Sequence, residues 1–289
     1  MQLLGFKDYQ QQGKRLAKEL GLEYYEVAIH HFPDGESKVT LPNRLDNEII
    51  FCRSLDHPND KLIELFLASE VARQQGVKHI TLVAPYLCYM RQDIAFNPGE
   101  AISQKIIGQW LGQLFERVIT VDPHLHRIDN LNQAIPNAET ISLSAANLMS
   151  EFLANRPNPP MLLGPDSESE QWVMKIAEHT GLEWEIAGKQ RHGDRNVEIM
   201  LPEIDFKDRL IVIVDDVAST GRTIAQTAKA LHQRGAQTVN CLVTHPLFAD
   251  DTEQVLTNAC INHIWSTDSI VHHSNVIQLA PLLAKAIKQ

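Results

Sequence analysis

Leu210-Ile-Val-Ile-Val214 runs straight into Asp215 and Asp216, and Ser219-Thr-Gly-Arg-Thr223 follows at once. An unbroken apolar run, apolar on both faces, reads as a buried parallel strand. Such a strand needs a cover on each face, so it commits the chain to an α/β layer fold. The carboxylates then fall at the strand's carboxyl end, where open α/β sheets bind ligands. A helical pattern runs from Ile224 to Arg234. A strand, a short hydroxyl-bearing turn and a helix start make an anion cradle. Backbone N–H groups are unpaired there, and the helix dipole favours negative charge. Ser219, Thr220 and Thr223 add hydroxyl donors, and Gly221 permits a backbone conformation that a Cβ would block. A phosphate is the expected occupant. Asp215 and Asp216 would repel it, so they are expected to accept hydrogen bonds from sugar hydroxyls or to face a metal ion. The stretch is neither the nucleotide P-loop, which needs Gly-Lys-Ser/Thr, nor a dinucleotide fingerprint. A capped helix after a strand would explain Ser-Thr-Gly alone, but it gives the paired acids no task.

Strand and helix patterns alternate along the rest of the chain. Helices are expected at residues 9–21, 60–75, 100–115, 141–153, 170–180, 250–257 and 279–288. Strands are expected at 24–29, 49–52, 79–85, 118–122, 161–164, 184–188, 239–244 and 261–266. The sequence restarts near residue 143, and Arg156-Pro-Asn-Pro-Pro160 is a stiff connector. Two domains follow, residues 1–142 and 143–289, each an α/β layer with a mainly parallel sheet flanked by helices. The C-terminal helix is free to pack back on the first domain.

Several loops carry polar groups with chemical potential. Phe32-Pro-Asp-Gly-Glu36 is a turn with an exposed aromatic candidate, though Pro-Asp-Gly also reads simply as a tight turn. Arg91, Gln92 and Asp93 follow an aromatic turn, and could bind a planar base or form a solvated loop. Asp122 and His124 lie at a strand end, placed for a phosphate or a metal. Lys189 and Arg191 lie two apart on a charged hairpin, as a lid over developing phosphate charge would need.

Composition excludes some classes. A formal charge of −10 argues against a nucleic-acid partner, which selects a basic face. It also means that a phosphorylated substrate needs local positive charge or a metal. Cys52, Cys88, Cys241 and Cys260 have no metal-ligand spacing, and the first three lie in apolar runs as reduced core residues do. The first residues lack a basic n-region and no membrane span is visible, so a cytoplasmic protein is expected.

Taken together, the motifs resemble those of the ribose-phosphate diphosphokinases, the phosphoribosyl-diphosphate (PRPP) synthetases. The matching segments are Phe32-Pro-Asp-Gly-Glu36, Tyr89 to Asp93, Gly99-Glu100 with Ile102-Ser-Gln-Lys105, Val121-Asp-Pro-His124, Gly164-Pro-Asp166, Lys189-Gln-Arg191, Val214 to Thr223, Thr244-His245, and Thr267-Asp-Ser-Ile270 with Ala280-Pro-Leu-Leu-Ala284. They run almost end to end, and are similar to the short archaeal-type forms. The resemblance implies two type I phosphoribosyltransferase-like domains. It implies transfer of the β,γ-diphosphoryl group of MgATP to the C1 hydroxyl of ribose 5-phosphate, giving PRPP and AMP. Phe32, Asp34, Gly35, Glu36, Arg91, Gln92 and Asp93 would bind ATP, the first four reaching it from a neighbouring subunit of a homo-oligomer. His124, Asp166 and Asp122 would serve Mg²⁺, and Lys189 and Arg191 catalysis. Asp215, Asp216, Ser219, Thr220, Gly221, Arg222 and Thr223 would hold ribose 5-phosphate.

This chain departs from the pattern at two places. Ser167-Glu-Ser-Glu170 puts acids where the family commonly has small residues, and Arg222 replaces a glycine. A PRPP-consuming phosphoribosyltransferase would explain the phosphate loop but not the N-terminal half or the Lys189 hairpin. A non-catalytic relative would not need Lys189, Arg191, Asp215 and Asp216.

Overall fold

A computed structural model describes residues 1–192, 196–249 and 251–289, without the side chains of 190–192 and 196–198. The chain forms two compact units. Unit 1 holds Met1–Leu143, Ser269–Val271 and Leu279–Gln289, and unit 2 holds Ser144–Asp268 and His272–Gln278.

Unit 1 begins with β1 (Gln2–Gly5), α1 (Gln10–Leu20) and β2 (Tyr24–Glu26). A hairpin of β3 (Ala28–His31) and β4 (Ser37–Thr40) leads to β5 (Glu48–Cys52) and α2 (Pro58–Gln74). Then come β6 (His79–Val83), α3 (Ser103–Leu114), β7 (Arg117–Val121) and β8 (Glu139–Leu143). Unit 2 opens with α4 (Ala146–Ala154), β9 (Met161–Gly164), α5 (Glu170–Thr180) and β10 (Trp184–Ile186). A second hairpin, β11 (Gly188–His192) with β12 (Asn196–Met200), precedes β13 (Leu210–Ala218) and α6 (Arg222–Gln233). The remaining elements are β14 (Thr238–Pro246), α7 (Thr252–Asn258), β15 (Ile264–Thr267), β16 (Asn275–Ile277) and α8 (Ala280–Ile287), of which α8 belongs to unit 1.

The two units repeat one topology. Their six-stranded sheets run β2-β1-β5-β6-β7-β8 and β10-β9-β13-β14-β15-β16, and every pairing in both is parallel. Each unit also carries one antiparallel hairpin between its second and third sheet strands. The order reverses beside β1 and beside β9, and such a switch point leaves a crevice at the strand ends.

The cores follow from sequence periodicity. The inner strand residues Leu3, Leu4, Phe51, Leu82, Ile119, Leu162, Ile213 and Leu242 are fully buried. In α1 the apolar face, Leu16 and Ala17, is buried, and Gly21 in a left-handed conformation ends the helix. Gly108 and Gly112 let α3 press on the following segment, because a Cβ at either would lie 2.0 Å from a carbonyl oxygen of Ala134 or Pro136. Cys52, Cys88 and Cys241 are buried thiols, and burial pushes Cys88 up to about 12.

Some boundaries differ from those the sequence suggests. Residues 24–29 split into β2 and β3, with Val27 donating its N–H to Gly5. Residues 139–143 are edge strand β8, not the start of a helix, and α4 begins only at Ala146. Strands β1 and β16, too short to show a period, complete the sheets. No helix among the described residues is long and apolar enough to cross a membrane.

The switch-point crevice of unit 1 is closed by the protein's own charges. Arg53, buried at the end of β5, reaches Asp8 at 3.1 Å and Glu64 at 2.7 Å. Lys61 spans Asp8 at 3.0 Å and Asp56 at 2.8 Å. Glu64, 1% exposed, also accepts from His31 at 2.6 Å and Ser37 at 3.1 Å, which tethers the β3–β4 hairpin. Burial works against the Glu64 charge, but the hydrogen bonds from His31 and Arg53 outweigh it and hold the carboxyl below its usual range. Removing one partner strands a buried charge. Glu64→Ala is therefore expected to lower the unfolding free energy by about 3–5 kcal/mol, measured by urea denaturation. A loss within the range of an exposed ion pair would contradict the buried network.

Candidate active site

In unit 2 the strands at the corresponding switch point end at different heights. β13 pairs with β9 only as far as Ile213↔Leu163, while its pairing with β14 continues to Ala218↔Pro246. The strand does not stop at Val214 as the apolar run suggests. It carries Asp215 and Asp216 with it, because β14 continues beside them. Past the end of β9 these residues face the switch point. Asp216 is buried, at 2% exposure, and Asp215 is partly open. Asp215 accepts the Asp216 N–H at 3.0 Å, and Asp216 accepts the Val217 N–H at 2.8 Å.

The loop after the acids is braced from behind. The Ser219 carbonyl accepts the Ala249 N–H at 2.9 Å and the Thr252 hydroxyl at 2.6 Å. Gly221 has φ +63° and caps α6, and a Cβ there would lie 2.8 Å from Thr252 and 3.0 Å from Leu256. The loop therefore needs glycine twice over, for backbone conformation and for space. Thr220 and Arg222 are exposed, and Ser219 and Thr223 are partly buried. Arg222 is the first residue of α6. A cation there opposes the helix dipole, by about 0.3–1 kcal/mol, so its placement makes sense only beside an anion.

Asp166 follows β9 on the other side of the crevice. Its carboxylate accepts the Glu168 N–H at 3.1 Å and an ion pair from Lys189 of β11. Gly164 allows the close approach beneath it. A Cβ there would meet Ser169 Oγ at 2.3 Å and Ile186 at 2.6 Å. The acidic Ser167–Glu170 stretch is a tight turn entering α5, with Glu168 and Glu170 exposed. Acids suit a helix N-terminus, which gives this departure a structural reason. The side chain of Arg191 lies outside the described residues.

The crevice is electrostatically loaded. Desolvation by the surrounding protein, then the charges of Asp216 and Asp166, push Asp215 well above the usual aspartate range. A carboxyl raised in this way, beside two further carboxylates, is poised for a cation or for hydroxyl donors.

The remaining expected site residues lie in unit 1. Phe32, Asp34, Gly35 and Glu36 form the exposed tip of the β3–β4 hairpin. The Phe32 N–H donates to Glu36 at 2.8 Å, Gly35 has φ +92°, and the Phe32 ring meets His30 edge-on at 4.8 Å. Arg91 is exposed, and Gln92 accepts from the Ser103 hydroxyl at 2.6 Å. Asp93 pairs with Arg127 at 2.6 Å, tying its turn to the loop after β7. In that loop Asp122 is buried at φ +39°, a strained left-handed conformation, and His124 packs edge-on against His126. Arg127 and Thr252 support the two loops from far away in sequence, and no local pattern marks either.

A parallel sheet with this order, an antiparallel hairpin and an acid pair ahead of a hydroxyl-rich loop define unit 2 as a phosphoribosyltransferase-type α/β domain, and unit 1 repeats the sheet order and the hairpin. Residues 1–114 match the N-terminal domain of ribose phosphate pyrophosphokinase, and residues 133–278 match the phosphoribosyl transferase domain. The chain is 32% identical over 279 residues to ribose-phosphate pyrophosphokinase of Methanopyrus kandleri, covering 96% of this chain and 94% of that one. It is 32% identical to ribose-phosphate pyrophosphokinase 2 of Archaeoglobus fulgidus, covering 95% of each. The crystal structure of phosphoribosylpyrophosphate synthetase from Mycobacterium smegmatis shares the fold, with TM-score 0.82 and 21% identity over 100% of this chain and 98% of that one. The chain belongs to the ribose-phosphate pyrophosphokinase family.

The raised pKa of Asp215 has a measurable cost in the unliganded protein. Wild type should lose stability relative to Asp215→Asn as pH rises from about 3.9, the ordinary aspartate value, through the raised value. Below that start the two should converge, since both side chains are then neutral in folded and unfolded chains. Urea denaturation across pH checks this, and a wild type more stable than the variant at neutral pH would contradict it.

Proposed function

We propose that the chain transfers the β,γ-diphosphoryl group of ATP to the C1 hydroxyl of ribose 5-phosphate, releasing AMP and PRPP. The observation that carries this reading is the switch point of unit 2, where Lys189 meets Asp166 and Asp166 lies near the Asp215–Asp216 pair that precedes the Ser219–Thr223 loop. Backbone N–H groups and hydroxyls of Ser219 to Thr223, with the Arg222 charge, receive the 5-phosphate. Asp215 and Asp216 accept hydrogen bonds from the ribose hydroxyls and orient C1 for in-line attack. Lys189 exchanges its pairing with Asp166 for the negative charge that builds on the transferred group. Arg191 is assigned to the same task by its place on the hairpin.

The donor set fits Mg²⁺, a hard cation that takes carboxylate oxygens. Asp166 would hold it with help from its acidic neighbours, and in unit 1 Asp122 and His124 are assigned to the metal and the phosphates. When bound, the ion neutralises polyphosphate charge. Phe32, Asp34, Gly35 and Glu36 are assigned to ATP in a second copy of the chain, because an exposed hairpin tip suits delivery to a neighbour. Arg91, Gln92 and Asp93 are assigned to ATP in their own copy, Asp93 through its hold on Arg127.

Release of AMP from ATP and ribose 5-phosphate with Mg²⁺, with and without inorganic phosphate, tests the reading. Turnover in neither condition would sink it, and pyrophosphate release from PRPP and a free base instead would favour a transferase. Lys189→Ala is expected to cut kcat by orders of magnitude while KM for both substrates stays within a few fold, since its work falls in the transition state. A variant with near-normal kcat would remove Lys189 from catalysis.

A further inference from the structure

Glu253, His272 and His273 bring ligand atoms together at a place that the proposed reaction does not use. Glu253 lies in the first turn of α7, and the histidines lie between β15 and β16. Their donor atoms all fall within 4.8 Å of one another. His272 Nε2 is 2.9 Å and His273 Nδ1 3.6 Å from the same Glu253 oxygen. Zinc bonds of about 2.0–2.2 Å put tetrahedral ligands roughly 3.3 Å apart. A small rotation of His273, whose side chain is 71% exposed, makes up the difference.

His272 is the fixed member. The Phe248 ring meets it edge-on at 4.8 Å, and its Nδ1 lies 2.8 Å from Ser274 Oγ. Ser274 Oγ is 2.7 Å from Ser266 Oγ, which also accepts from Asn275 Nδ2 at 3.0 Å. Without a metal, the Ser274 N–H points at Nδ1 at 3.2 Å, so Nε2 carries the proton and donates it to Glu253. With a metal on Nε2, the proton sits on Nδ1 and is donated to Ser274 Oγ, whose hydroxyl turns to Ser266. The Ser274 N–H then gives up its bond to the ring, and the remaining bond from Nδ1–H to Ser274 Oγ is the kind of outer contact that orients a metal-bound imidazole.

We propose that Glu253, His272 and His273 form a binding site for a transition-metal cation, zinc in the first instance. Two imidazoles and a carboxylate suit zinc and leave a fourth position to water, whereas magnesium prefers oxygen alone. The residue before Glu253 is Thr252, whose hydroxyl holds the Ser219 carbonyl. An ion that ties α7 to the β15–β16 connection therefore stiffens the wall behind the phosphate loop.

Calorimetric titration of the full chain with zinc chloride, in excess Mg²⁺ to fill oxygen sites, tests this. Wild type should take up zinc, and His273→Ala and Glu253→Gln should each weaken that uptake by at least about tenfold, with Ser274→Ala weakening it by about tenfold. Zinc should raise the Tm of wild type and not that of His273→Ala. The metal-free Tm values of the His273 and Glu253 variants, which alter exposed side chains, should match wild type. A zinc isotherm and a Tm rise that are the same in wild type and His273→Ala would overturn the proposal, as would no uptake by wild type.

Discussion

The site depends on two neighbouring parallel strands ending at different heights. β9 leaves the sheet at Gly164 while β13 and β14 run on together. A parallel sheet places all its carboxyl ends on one edge, and a reversal of strand order keeps the covering helices apart there. The acid pair, the phosphate loop and Lys189 of β11 all take their positions from that gap. In unit 1 the strand order reverses in the same way, but β1, β5 and β6 end level at Gly5, Cys52 and Val83, and Arg53, Lys61, Asp8 and Glu64 form ion pairs beyond them.

Under the proposed assignment, a phosphorylated sugar in a chain of net charge −10 needs local positive charge. The carboxylates Asp166, Asp215 and Asp216 stand together, and burial first, then the charges of Asp216 and Asp166, holds Asp215 protonated to higher pH. Positive partial charge comes from the start of α6, and full charge from Arg222 and Lys189. In the unliganded protein Arg222 stands against a helix dipole, while Lys189 is paired with Asp166.

Much of this was legible from residue order. The apolar run at Leu210–Val214 announced a buried parallel strand, and the glycine-containing turn after it announced the loop. Helix 170–180 and the Gly21 and Gly181 stops were readable from period and capping chemistry. What escaped was short or non-local. β1, β8 and β16 have too few residues to show a period, and β8 lies in a segment whose apolar spacing also suits a helix. The contacts of Asp93 with Arg127 and of Glu64 with His31 and Arg53 join distant positions. His272 and His273 showed no ligand spacing, because Glu253 comes from another element.

The sequence by itself determined the fold class and the glycine-containing turn after the acid pair, because apolar periodicity and glycine stereochemistry are local properties. It also determined the family, since the motifs run through the whole chain in one order. Tertiary structure alone decided how far β13 runs beyond β9 and which charges already have partners. Those outcomes depend on strand register and on side chains that meet across long stretches of chain, and no local pattern encodes either.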